Sequence, residues 1–206
     1  MRNALLAVAC GLLVLVSGSN AAPPADSKVN DEGFIVDWLM LGPISVAEGS
    51  GAEAIDLKQV PEEAALQPKA GEKQKVGDKE LTWKAVQAKE KQYYIDLAVA
   101  GGGATEDVAA YLVAYVFADD EMKDVTAVMS SNDQGKLYLN GKEVIKFTET
   151  RVIDKDGDKK AGLTLNKGRN TVVLKVINEK NDWAGAVHFL NKDGKAITGL
   201  TVKTAP

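Results

Sequence analysis

The run Val108–Ala118 constrains this chain more than any other stretch of it. Tyr111, Val113, Tyr115 and Phe117 alternate there with Ala110, Leu112, Ala114 and Val116, so an extended strand would be apolar on both faces. Such a strand needs protein packed against each of its sides. The density of Val, Tyr and Phe favours strand over helix, and the run is too short to cross a bilayer as a helix. The run therefore reads most simply as a central strand covered on both sides.

Strand signals recur along the rest of the chain. Phe34–Leu41 is aromatic and branched and should end at Gly42-Pro43. Lys73–Val76 and Leu81–Val86 flank a turn at Gly77-Asp78, and Tyr93–Leu97 and Val125–Ser130 follow as further strands. Lys136–Leu139 and Lys142–Phe147 flank Asn140-Gly141, a pair that tolerates positive φ and calls for a type I′ hairpin. A two-residue loop there would set Leu137 opposite Val144. Leu163–Leu165 and Thr171–Asn178 read as a second hairpin across Asn166–Asn170, and Ala184–Leu190 and Ala196–Val202 close the chain around Asp193-Gly194. Glu48–Gly77 differs: it is rich in Gly, Ala, Glu, Lys and Pro, with Pro61 placed to start a short helical turn. It reads as an irregular insertion at about residues 45–75. About ten short strands with turns between them predict an all-β sandwich or barrel.

The N-terminus reads as a targeting segment. Arg2, the apolar stretch Ala4–Val16 and the small residues up to Ala21 form a signal peptide over residues 1–21, cleaved before Ala22. Residues 22–32 read as a flexible mature N-terminus and 33–206 as one β-sandwich domain. The expected location is periplasmic or extracellular. Cys10, the only cysteine, would leave with the signal peptide, so no disulfide can hold the mature fold. No transmembrane anchor is expected in the mature form. A net charge of −4 with interspersed signs argues against nucleic acid as a partner.

Taken together, the motifs resemble a known family. Asp37-Trp-Leu-Met-Leu-Gly-Pro43 resembles the opening strand of exported bacterial domains with a galactose-binding-like jelly-roll fold. Ser131–Val144 resembles their S-D-D-x-x-K-V-Y-L-N-G-K-x-V hairpin. Leu165–Val176, and Trp183 with Phe189–Lys195, resemble their last strands. The resemblance covers most of residues 34–202, and the Lys69–Trp83 hairpin suggests a planctomycete-type branch. It implies a jelly-roll β-sandwich similar to accessory carbohydrate-binding modules. Ile44 departs from the pattern where Phe is common. Asn132 departs where the first Asp of an acidic pair is common, which weakens a metal reading there.

The residues themselves point to binding more than to catalysis. One His and one Cys exclude the usual four-ligand zinc site and a Cys–His nucleophile. His188 has no motif around it, there is no Gly-x-Ser-x-Gly elbow or phosphate loop, and no carboxylate pair stands in a glycosidase-like setting. Asp154, Asp156 and Asp158 alternate in a Gly-containing loop. They read first as a solvated turn and second as a weak calcium site, opposed by Lys155, Lys159 and Lys160. Trp38 and Trp83 read as core. Trp183 sits at a loop–strand junction beside Asn181 and Asp182, where its ring either plugs the end of a sandwich or is displayed to a sugar. Asn132 and Asp133 read as an Asx turn or as further oxygen ligands. The expectation is an exported, non-catalytic domain that binds a glycan or envelope component through Trp183, Asp182, Asn132 and Asp133, with no cofactor beyond weak calcium. The alternative is a structural or scaffold protein of the cell envelope with protein partners and no small ligand.

Overall fold

The computed structural model describes residues 26–103 and 106–206. The signal peptide read from residues 1–21, and Cys10 with it, lie outside the described residues. The strands are β1 (Ser27–Lys28), β2 (Asp37–Ser45), β3 (Lys73–Val76), β4 (Lys79–Thr82), β5 (Lys84–Gln87), β6 (Ile95–Asp96), β7 (Val108–Ala118), β8 (Met122–Asn132), β9 (Gly135–Leu139), β10 (Lys142–Phe147), β11 (Asp158–Leu165), β12 (Gly168–Asn178), β13 (Ala184–Leu190) and β14 (Thr201–Lys203). Two short helices, α1 (Gly51–Ala54) and α2 (Leu97–Ala100), and a 3-10 turn at Glu63–Ala65 complete the set.

The strands form an all-β sandwich. An eight-stranded sheet has the order β1-β14-β7-β12-β9-β10, with β2 joining the edge of β7 and β5 joining β2; a four-stranded sheet has the order β11-β8-β13-β6. β7 is central and pairs over its whole length with β12, from Gly168 opposite Ala118 to Asn178 opposite Val108. Its inner residues Ala110, Leu112, Ala114 and Val116 pack with Trp38, Met40, Leu174 and Val176 against Ala127, Met129, Val187 and Phe189 of the smaller sheet. Its outer residues Tyr111, Val113 and Tyr115 form a second cluster with Leu39, Leu41, Val173 and Ile177, roofed by Ala54, Ile55, Val60, Leu66 and Trp83. The insertion is thus the cover that the two apolar faces of β7 demanded. β3 and β4 stand apart as a two-stranded hairpin at its far end.

Several local expectations need correction. Gly42-Pro43 does not end the second strand: β2 runs on to Ser45, and a register shift between Leu41 and Ile44 absorbs the pair. Leu81–Val86 is two strands, broken at buried Trp83, because β4 pairs with β3 and β5 with β2. The Asn140-Gly141 turn has positive φ at both residues (51° and 81°), but a bulge between Glu143 and Ile145 sets Ile145, not Val144, opposite Leu137. Leu163–Leu165 and Thr171–Asn178 do not form a hairpin. β11 lies in the small sheet and β12 in the large one, so the chain crosses between layers. Asn170 holds that crossing: its Oδ1 accepts from Asn166 N (2.8 Å) and its Nδ2 donates to Asn166 O (2.9 Å). Near the start of the described residues, Ser27–Lys28 pairs with Thr201–Val202 and Val29 is buried.

Candidate functional site

Strand register builds one end of the small sheet into a cavity. Asn132, the last residue of β8, pairs with Ala184, the first of β13, and Ala184 pairs with Asp96 of β6. Asp182 and Trp183 come immediately before β13, and Trp183 O accepts from Leu97 N (2.8 Å). Asp96 caps α2 by accepting from Val99 N (3.0 Å), which places Val99 beside the row. Val152 and Ile153 arrive from the loop between β10 and β11. These residues, with Tyr94, Ala98 and Ala184, enclose about 260 Å³.

Three of the four residues expected to bind a ligand therefore meet: Asn132, Asp182 and Trp183. Asp133 does not line the cavity. It is 7% exposed, and its carboxylate accepts from the backbone N–H groups of Arg151 and Glu179, at 3.1 Å each. The displayed-ring reading of Trp183 is corrected: the residue is 1% exposed, with Cζ3 close to Gly101, so it forms an inner wall and offers no stacking platform. Its Nε1 is buried with no hydrogen-bond partner among the described residues. Such an orphan donor costs about 1–3 kcal/mol unless something accepts from it. Two of the three exposed large aliphatic side chains among the described residues, Val99 and Val152 (77% exposed), also sit on this cavity. Sequence reading missed Tyr94, Asp96, Val99 and Val152. The one available clue was the Tyr93-Tyr94 doublet, whose second member is half-buried on the cavity.

The acidic loop does not gather ligands. Asp154 Oδ1 accepts from Asp156 N (2.8 Å) as an Asx turn, Asp156 is 90% exposed beside Lys159, and Asp158 pairs with Arg151 Nη1 (2.7 Å). Among the described residues, no three His, Cys, Asp or Glu side chains converge as metal ligands. The calcium reading of Asp154, Asp156 and Asp158 thus gives way to a turn. Gly157 is there for close approach: a Cβ would lie 2.0 Å from Met129 O of β8.

A polar cluster lies buried under the insertion, and sequence reading missed it entirely. Lys175 of β12 is fully buried; its Nζ donates to the carbonyls of Ala54 (3.1 Å), Ile55 (3.0 Å) and Leu57 (2.6 Å) and lies 3.4 Å from Glu63 Oε2. Glu63, 3% exposed, accepts from the hydroxyls of Tyr111 and Tyr138, both at 2.5 Å. Burial, opposed by Glu63, brings the Lys175 ammonium down to about 8. Burial, then the bond to Glu63, pushes both phenols well above the usual tyrosine range. Nearer the rim, Lys136 and Lys146 bond Asp56 and hold its carboxyl below the usual range. Lys175 was legible in part: Val173 and Ile177 flank it on a strand whose opposite face carries Val172, Leu174 and Val176, a pattern that predicts a buried charge.

Fold and site together define an all-β sandwich with a small, partly apolar cavity at one end of its smaller sheet. No family model matches the chain, and no curated protein matches it. Among solved structures it is similar to the PA14 domain of the MpAFP antifreeze protein (TM-score 0.47, 10% identity, covering 87% of this chain and 97% of that one). It is also similar to the PA14 sugar-binding domain from an RTX adhesin (TM-score 0.41, 11% identity, 84% and 100%). A third likeness is to a β-glucosidase from Kluyveromyces marxianus (TM-score 0.43, 11% identity), of which the chain spans only 20%. Overlaps this loose carry no ligand or activity across. Among the described residues, no helix is long and apolar enough to cross a membrane.

Proposed function

We propose that the protein is an exported, non-catalytic carbohydrate-binding domain whose ligand enters the cavity of Tyr94, Asn132, Asp182 and Trp183. The observation that supports this is the mixture of side chains there: exposed aliphatic Val99 and Val152, the half-buried aromatic Tyr94, an amide and a carboxylate, all on about 260 Å³. Apolar walls with a few convergent polar groups are the usual composition of a small-ligand site. A sugar presents the matching chemistry, with an apolar ring face for Tyr94 and hydroxyls for Asn132 and Asp182. At this size the cavity holds one terminal residue of a glycan.

Glycan-array screening of the purified chain, followed by calorimetric titration of the hits, tests the reading. The expected result is saturable binding to a terminal sugar, weakened at least ~10-fold by Tyr94→Ala and by Asp182→Ala, a loss of about 1.4 kcal/mol each. No binding to any glycan, or binding indifferent to Tyr94→Ala and Asp182→Ala, would refute it.

A further inference from the structure

We infer that Asp133 is the positioning residue of this cavity: one carboxylate, outside the cavity, ties together the two loops that form its walls. The inference builds on the cavity described above and adds what fixes its shape. Oδ1 accepts from the backbone N–H of Arg151, whose loop carries Val152 and Ile153. Oδ2 accepts from the backbone N–H of Glu179, which leads to Asp182 and Trp183. The backbone of Asp133 is itself held: its N–H donates to Ile177 O (2.9 Å), and its carbonyl accepts from Ser131 Oγ (2.8 Å).

Arg151 reinforces the tie from the other side. Its Nη2 donates to Ser131 Oγ (2.8 Å), its Nε donates to Ser131 O (3.0 Å), and its guanidinium lies 3.7 Å over the Phe147 ring. The corner Ser131–Asp133 thus grips the Val152 loop through a backbone amide and a side chain, and the Trp183 loop through a backbone amide. Only an ionised carboxylate suits the Asp133 position. It is acceptor-only, so both oxygens can face N–H donors, and charge-assisted bonds of this kind are about twice as strong as neutral ones. An asparagine could satisfy one loop and would turn its own NH2 toward the other.

Amide hydrogen exchange, read by NMR on the full chain, tests this directly with Asp133→Asn and Asp133→Ala. In Asp133→Ala, exchange at Arg151 and Glu179 should rise at least ~10-fold while amides of the central strand β12 stay as protected as in wild type. In Asp133→Asn only one of the two should rise, a half-effect that a general loss of stability would not produce. Titration of both variants with monosaccharides (glucose, galactose, mannose, fucose, N-acetylglucosamine) should show affinity falling in step with loop release, Asp133→Ala furthest. If Asp133→Ala does not fold, Asp133→Asn alone decides, through its single released amide. Retained protection at both amides would overturn the inference, as would loops that loosen without loss of a sugar that wild type binds. If wild type binds no sugar, the glycan reading fails, while the exchange data still decide whether Asp133 sets the cavity walls.

Discussion

Replacing Lys175 by Met tests the account of how the insertion is held. The substitution keeps the aliphatic stem and removes the ammonium that donates to Ala54, Ile55 and Leu57 and faces Glu63 at 3.4 Å. Three carbonyls lose a donor, and Glu63 keeps only the hydroxyls of Tyr111 and Tyr138. Breaking one side of a buried charge pair costs ~3–5 kcal/mol, which for a domain of this size lowers Tm by roughly 6–20 °C. The assay is guanidinium unfolding followed by tryptophan fluorescence and by circular dichroism. Glu63→Gln and the double variant complete a thermodynamic cycle. Because the two residues share one cluster, the double variant should cost at least ~1 kcal/mol less than the sum of the singles. Trypsin supplies a local readout: Lys58 follows the segment that Lys175 grips, so cleavage there should accelerate before the sandwich unfolds. A Lys175→Met protein within ~1 kcal/mol of wild type, with an additive cycle and unchanged cleavage at Lys58, would refute the reasoning.

Two further outcomes follow from other parts of the molecule. His188 is buried with its ring 4.1 Å from that of Phe34, and burial, aided by Lys159 and opposed by Asp156 and Glu32, brings its pKa down to about 4. The neutral form is therefore the folded form: its contribution is complete above the unfolded value near 6.5 and is lost as pH falls toward 4, as the unfolded chain takes up the proton first, a loss of about 3 kcal/mol. Urea unfolding at pH 7 and pH 4 should show wild type losing more stability than His188→Gln by about that amount, and equal losses would contradict it. Gly157→Ala places a Cβ 2.0 Å from Met129 O and should cost at least ~1–3 kcal/mol. Gly162→Ala, with φ of 75° and open space around it, should cost only about 1 kcal/mol; similar thermal melts for the two would remove the packing explanation of Gly157.

What was legible in the sequence was what one strand or one turn decides for itself. The alternation in Val108–Ala118 called for cover on both faces of the strand, and both are covered. Asn140-Gly141 dictated positive φ at two residues. Which sheet a strand joins is another matter: the turn at Asn166–Asn170 has the same composition whether its flanking strands pair or part. Here they part, because β11 completes the small sheet beside β8 while β12 fills the place between β7 and β9. The cavity was half legible for the same reason. Asn132, Asp182 and Trp183 stand in loops or at strand ends rich in polar residues, whereas Val152 reads as one aliphatic residue in a loop until the fold carries it to the same place. The polar environment of Trp183 suggested display, but Leu97 of α2 and Gly101 just after it close over it.

The hidden cluster follows from the same limit and explains something composition raised. The insertion lies over the large sheet, and no disulfide is available to fix it there, since the only cysteine is Cys10. Its apolar residues Ile55, Val60 and Leu66 drive it onto the sheet, but apolar contact is non-directional and tolerates sliding. Lys175 does not. Its three carbonyl acceptors come from residues 54, 55 and 57, and its carboxylate neighbour Glu63 is fixed by two phenols, so the donors are satisfied in one placement of the cover. Glu63 and Lys175 are 112 residues apart, so no local pattern pairs the one with the other. Together they give a long irregular segment a fixed register on the sheet, the role a cross-link would otherwise fill.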